Sequence, residues 1–122
     1  MTQPIAYLKG QFIPASEAMV PVYDAGIVLG ATVTEMIRTF NQKPYKLKEH
    51  VERLHRSMRY VRFDTGLSSQ QMTDITMEVT EHNVSLLPEG KELGIIQFVT
   101  AGTFAVYAGS AGSGDQMTPT VC

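Results

Sequence analysis

The chain has 122 residues, 43% of them hydrophobic and 18% charged, with a formal net charge of −2. That length suits one domain able to bury roughly two-thirds of its unfolded surface, and the near-balanced charge gives no footprint for nucleic acid or an anionic membrane. The single cysteine, Cys122, excludes a disulfide within the chain, and the three scattered histidines give no metal-ligand spacing. With neither a signal-peptide pattern nor an apolar run long enough to span a bilayer, the expectation is a soluble cytoplasmic protein.

Ile5 to Lys9 and Gln11 to Ile13, joined at Gly10, read as a hairpin. Ser16 to Ala18 allows a helical turn, which Pro21 stops from continuing. Val33 to Phe40 is rich in β-branched and aromatic residues and predicts a strand. Asn41-Gln42-Lys43-Pro44 is a turn, with a short return strand expected over Tyr45-Lys46-Leu47.

Leu47, Val51, Leu54, Met58 and Val61 recur at the spacing of one apolar helical stripe and predict a helix over Leu47 to Val61. A second helix is expected from Ser68, with Gln71 completing a capping box and Met72, Ile75 and Val79 on its apolar side. Pro88-Glu89-Gly90 is a turn. Gly94 to Thr100 predicts a strand whose near-continuous apolar run, Ile95, Ile96, Phe98 and Val99, suggests burial on both faces. A further strand is expected over Thr103 to Tyr107. Residues 109–116 have almost nothing to bury and read as a linker, and Met117 to Cys122 reads as the first residues of another strand. The organisation expected is therefore a domain over 1–108, then 109–122 as a linker and the start of a following domain, the chain being the N-terminal piece of a longer protein.

On the first long helix, His50, Arg53 and Ser57 fall within a stripe roughly 60° wide at 100° per residue. That stripe flanks the apolar face, where a long cation reaches across an interface. A guanidinium suits a phosphate because its planar fork donates two parallel hydrogen bonds and keeps its charge. By spacing alone, pairing of Arg53 with Glu49 one turn back is the simpler reading. Glu35 and Arg38, three apart on a strand, point to opposite faces and cannot form an acid/base pair. A neighbour for Glu35 and an interface for Arg38 are expected instead. Gly26 and Gly30 lack the spacing of a phosphate-cradling loop.

The string His50-x-x-Arg53-Leu54-x-x-Ser57 resembles the helix of the class IV aminotransferases, which use pyridoxal 5'-phosphate (PLP). Tyr7 to Pro14 is similar to the opening hairpin of that family, and Asp24-x-Gly26, Gly30 and Val33-x-Glu35-x-Ile37-Arg38 resemble its central motif. The likeness continues weakly through Gln97-Phe98-Val99-Thr100-x-Gly102. Several motifs keep their order and spacing over most of residues 5–63.

The resemblance implies an α+β small N-terminal domain, with a mostly antiparallel sheet and two helices packed on one side. It implies transfer of an amino group from an amino acid to a 2-oxo acid, Arg53 holding the PLP phosphate, and a homodimer. The family's catalytic lysine lies in a second domain. None of Lys9, Lys43, Lys46, Lys48 and Lys91 sits in a matching motif, so no catalytic residue is expected in this chain.

Thr34 stands where an aromatic usually lines the substrate pocket, which would widen that wall. Val106 and Gln97 stand where D-amino acid and branched-chain enzymes carry an arginine for the substrate carboxylate. Gln97 is a candidate donor there, although a polar residue on a strand edge is the simpler reading. The expectation is a branched-chain-like aminotransferase; a lyase of the same fold, such as aminodeoxychorismate lyase, and a catalytically silent assembly module are the alternatives.

Overall fold

The computed structural model describes residues 2–103 and 118–122. The expected strand over Thr103 to Tyr107, apart from Thr103, and the expected linker over 109–116 lie outside them. β1 (Ile5–Leu8) and β2 (Gln11–Pro14) form the opening hairpin, with Lys9 and Gly10 at positive φ in the two-residue turn that such a hairpin favours. A single 3-10 turn, Ala15–Glu17, follows. α1 (Ala25–Val28) is one turn, capped by Asp24, whose Oδ1 accepts from the Gly26 N–H.

The main sheet has the order β4-β3-β5-β6, built from β3 (Thr32–Phe40), β4 (Lys43–Pro44), β5 (Gly94–Thr100) and β6 (Thr120–Val121), with every pair antiparallel. Two long helices, α2 (Leu47–Val61) and α3 (Ser69–Val84), complete the α+β domain that the sequence predicts. α2 has the predicted bounds, and Val51, Leu54 and Met58 of its stripe are buried. α3 begins with the predicted Ser68–Gln71 capping box.

Period-two alternation gives β3 two unlike faces. Glu35, Ile37 and Thr39 are buried under the helices; Thr34, Met36, Arg38 and Phe40 are exposed on the other face. β5 is in register with it, Glu35 opposite Gln97 and Met36 opposite Ile96. The core is made by Val51, Leu54 and Met58 of α2, Met72 of α3, and Val99 and Val121 of the sheet.

Four expectations change. Ile96 is 61% exposed, so the second face of β5 is covered only toward its Thr100 end. The return strand is Lys43–Pro44, because Lys46 turns left-handed to start α2. On α3 the buried positions are Met72, Thr76 and Thr80, while Ile75 and Val79 are only half-buried. Thr120 and Val121, expected to open a following domain, pair with β5 in this sheet, because Val121 fills the core beside Val99.

A buried carboxylate locks the start of this sheet to its end. Asp24 is fully buried, and its Oδ2 accepts from Thr120 Oγ1 at 2.7 Å. Burial pushes this carboxyl up, but hydrogen bonds from Thr100, Thr120 and the Gly26 N–H, with the charge of Lys9, outweigh it and hold it below the usual range. Beside it, Gly102 has φ +97°, and a Cβ there would drive into the Thr118 carbonyl.

Two outcomes are expected. Gly102→Ala should lose at least about 2 kcal/mol in chemical denaturation, against about 1 kcal/mol for Gly66→Ala, which also has positive φ but open space around it. Asp24→Asn should cost about 1–3 kcal/mol at pH 7. Since the folded carboxyl titrates below its unfolded value of about 3.9, its stabilisation is complete above that value and is lost as pH falls through the folded one. Melts of the two proteins across a pH series should therefore converge at strongly acid pH.

Candidate functional site

Strand β3 and helix α2 meet at Glu35. Its position on the helix face of the sheet buries the side chain to 4% exposure, and a carboxylate so placed requires donors. α2 supplies them from two residues three apart on one face. Arg53 donates from Nε to Glu35 Oε2 at 2.7 Å and from Nη2 to Oε1 at 2.8 Å. His50 Nδ1 lies 2.6 Å from Oε1, and since an ionised carboxylate only accepts, Nδ1 carries the proton. The hydrogen bonds from Arg53 hold the Glu35 carboxyl below its usual range against the opposing effect of burial, and His50 lowers it further. The same contact raises Arg53 above its ordinary value.

This pairing replaces the expected Glu49–Arg53 contact and identifies the neighbour of Glu35. The sequence contained the signal: Glu35 shares the strand face of Ile37 and Thr39, which points at the helix that carries His50 and Arg53.

The geometry leaves Arg53 with unused donors. Its side edge, Nε and Nη2, faces Glu35, while three of its five N–H groups, on Nη1 and Nη2, are not needed by that contact. The side chain remains 59% exposed. It borders a cleft of about 220 Å³ together with Lys46, Glu49, His50 and Arg56. Lys46, Arg53 and Arg56, set against Glu49 and the Glu35 carboxylate that pairs with Arg53, leave a surplus of one positive charge, which makes that cleft attractive to an anion. Arg56 is exposed and lines the same cleft. Ser57, the third residue of the stripe, is half-buried.

Thr34 and Gln97 lie on opposite faces of the sheet. Thr34 is on the open face, opposite Phe98 and next to the exposed Met36 and Ile96. Gln97 is on the helix face, 5% exposed, and its Nε2 donates to Thr76 Oγ1 at 2.8 Å. These two residues therefore cannot line one wall, and Gln97 sits on an interior strand rather than an edge. Val106 lies outside the described residues. Arg38 is on the open face with its guanidinium 3.9 Å above the Phe40 ring. Among the described residues, no cluster of His, Cys, Asp and Glu could hold a metal ion, and no helix is long and apolar enough to cross a membrane.

The amino-transferase class IV family model matches residues 32–117. Among curated proteins, the "Putative branched-chain-amino-acid aminotransferase" of Methanocaldococcus jannaschii is 35% identical over 77 residues, 63% of this chain and 27% of that protein. D-alanine aminotransferase of Staphylococcus haemolyticus is 32% identical over 77 residues, with the same shares. Among solved structures, the branched-chain aminotransferase of Thermoproteus uzoniensis with norvaline superposes at a TM-score of 0.76 and 20% identity, over 97% of this chain and 38% of that one. The branched-chain amino acid aminotransferase of Escherichia coli gives 0.75 and 20%, over 98% and 38%. At these identities the solved structures establish the fold, that of the branched-chain enzymes' N-terminal part. The chain spans 27% of the length of the curated relatives it matches. With a family match that covers residues 32–117, and so takes in β3, α2, α3 and β5, the chain belongs to the class IV aminotransferases.

Proposed function

We propose that the whole protein transfers an amino group between an amino acid, of the branched-chain class, and a 2-oxo acid with PLP, and that this chain forms one side of its site. The observation that carries this reading is the Arg53 guanidinium. It is fixed along one edge by Glu35 and open along the other, at a cleft rich in cations. That donor set fits the dianionic phosphate of PLP, since a preset fork binds with little loss of freedom. Arg53 binds the phosphate, Glu35 positions the fork, and His50 helps hold the Glu35 carboxylate through Oε1, the oxygen it shares with Arg53 Nη2. Lys46 and Arg56 add positive potential. When bound, PLP supplies the electron sink that makes a proton at the amino acid Cα removable. Thr34, on the open sheet face, bounds the substrate side and leaves more room than an aromatic would.

The lysine such chemistry requires comes from polypeptide outside this chain. Of the chain's own lysines, Lys46 alone borders the Arg53 cleft, and it lies 5.6 Å over the Tyr45 ring at the helix start. The family resemblance further supports a cytoplasmic homodimer, with residues 1–108 making up most of the small domain, whose sheet also takes in Thr120–Val121. The branched-chain preference is supported by the greater identity to the Methanocaldococcus jannaschii relative.

In the full-length protein, Arg53→Ala should weaken PLP binding roughly tenfold to a hundredfold, the worth of one or two charge-assisted bonds at about 1.5–3 kcal/mol. Because it also strands a buried carboxylate, the apo protein should lose about 1–3 kcal/mol. Arg53→Lys should recover part of the affinity, and Arg59→Ala, exposed on the same helix, should leave it unchanged. PLP titration by absorbance, beside melts of the apo forms, tests this; unchanged affinity in Arg53→Ala with a lowered melt would make the residue purely structural.

The 122-residue chain alone should show no transaminase turnover. Incubation with PLP, borohydride reduction and peptide mapping should yield no single stoichiometric adduct. One adduct at Lys46 or Lys48 accompanied by turnover would overturn the assignment of the lysine to another part of the protein.

A further inference from the structure

A second cleft, of about 430 Å³, lies at the other end of α2, between its last turn and the connection to α3. It shares no lining residue with the Arg53 cleft. Arg59 is six residues beyond Arg53, which is about 120° round the helix and about 9 Å along it. The linings also differ in kind. Only charged and imidazole side chains line the Arg53 cleft, whereas Met58, Phe63 and Leu67 give this one an apolar wall continuous with the core. Arg59 and Arg62 line it as well; both are exposed, and among the described residues neither forms a salt bridge. Asp64 is its one carboxylate, and Oδ1 of that group accepts from the Gly66 N–H at 2.9 Å. Thr65 Oγ1 accepts from the Leu67 N–H at 3.1 Å, and its hydrogen remains for a further acceptor. The His55 ring lies between the Val51 and Leu67 carbonyls, at 3.0 and 3.1 Å, and ties the connection to the helix.

Arg62 is held at this cleft in a left-handed conformation, φ 62° and ψ 39°. The Phe63 N–H donates to the Met58 carbonyl at 2.9 Å, the contact that closes a helix on a left-handed residue, usually glycine. A side chain there strains the backbone where glycine would not, and such strain gathers at functional positions. Offsetting the negative end of the α2 dipole is one use for a basic residue in this turn. The Met58 and Arg59 carbonyls, however, already accept from the Arg62 and Phe63 N–H groups, so the two guanidiniums are not needed to satisfy them. Two guanidiniums against one carboxylate leave a single positive charge beside an apolar wall.

We propose that this cleft is a second binding site, separate from the Arg53 cleft, for a small aliphatic carboxylate. Arg59 and Arg62 hold the carboxylate, with the Thr65 hydroxyl as a further donor, since a guanidinium fork matches two carboxylate oxygens. Met58, Phe63 and Leu67 cover the alkyl tail and remove it from water. The surplus of one positive charge sets the ligand as a monoanion. A bare phosphate gains nothing from the apolar wall, and an uncharged tail gains nothing from the arginines. None of Glu35, His50 and Arg53 takes part, so the site stands or falls independently of PLP binding.

The test titrates hexanoate into the full-length protein, labelled at its methionine and leucine methyl groups, and follows Met58 and Leu67 by NMR. Both signals should shift and saturate, with a Kd on the order of millimolar for so small a ligand. Hexanamide keeps the tail without the charge, and inorganic phosphate keeps the charge without the tail; each should bind roughly tenfold more weakly. Added PLP should leave both shifts in place. Arg62→Gly suits the left-handed backbone while removing the guanidinium. It should weaken hexanoate roughly fivefold, with the melting temperature unchanged or raised and PLP affinity unaltered. Asp64→Asn preserves an acceptor for the Gly66 N–H and should tighten hexanoate about twofold. Met58 and Leu67 signals that stay still through the millimolar range would overturn the proposal. So would equal binding of hexanamide, equal binding by Arg62→Gly, or reversal of the shifts by PLP.

Discussion

A carboxylate placed beneath a helix dictates how the two layers of this domain meet. Glu35 leaves solvent because the alternation of β3 turns it to the helix side together with Ile37 and Thr39. Once buried it needs donors, and α2 must lie at the rotation that brings both Arg53 and His50 to it. The apolar stripe of Val51, Leu54 and Met58 then faces the core. One ion pair thus fixes the helix rotation and the exposure of the Arg53 fork. Replacing both partners by apolar residues of similar shape could retain stability, as with many buried pairs, but would abolish the fork.

The sheet separates two chemistries. Its helix face carries polar contacts that are nearly all satisfied: Glu35 with Arg53, Gln97 with Thr76, and Thr76 and Thr80 with the helix carbonyls one turn back. Its open face carries Thr34 and Arg38 beside Met36, Phe40 and Ile96, three large apolar groups left exposed. The charged cleft at Arg53 and the apolar wall at Thr34 therefore lie on different sides of β3. A molecule with an anionic end and an apolar end would be approached by the two from different directions.

Elements governed by local rules were legible in the sequence. α2 was readable to its ends because five apolar residues keep one stripe, and the start of α3 because Ser68 and Gln71 cap each other. What depended on neighbours was not. A continuous apolar run such as Ile95 to Val99 does not reveal whether both faces are covered, and Ile96 is exposed. On α3, threonines were buried ahead of Ile75 and Val79, because Thr76 and Thr80 satisfy their hydroxyls on the Met72 and Thr76 carbonyls. Arg53 was marked as a candidate by its motif, but its partner was 18 residues away on a strand, beyond the reach of helical spacing.

The hydrogen bond from Thr120 to Asp24 spans 96 residues. Val121, from the same short strand, is part of the core. As the chain emerges from the ribosome, the hairpin, β3 and both helices can form early, but the carboxylate of Asp24 lacks this donor and the core lacks this side chain until residues 120 and 121 are made. Contacts of such separation slow folding and keep partly formed sheet edges open in the interval. The nascent domain therefore completes itself late, and a ribosome that stalls before residue 120 releases a chain with its core unfilled.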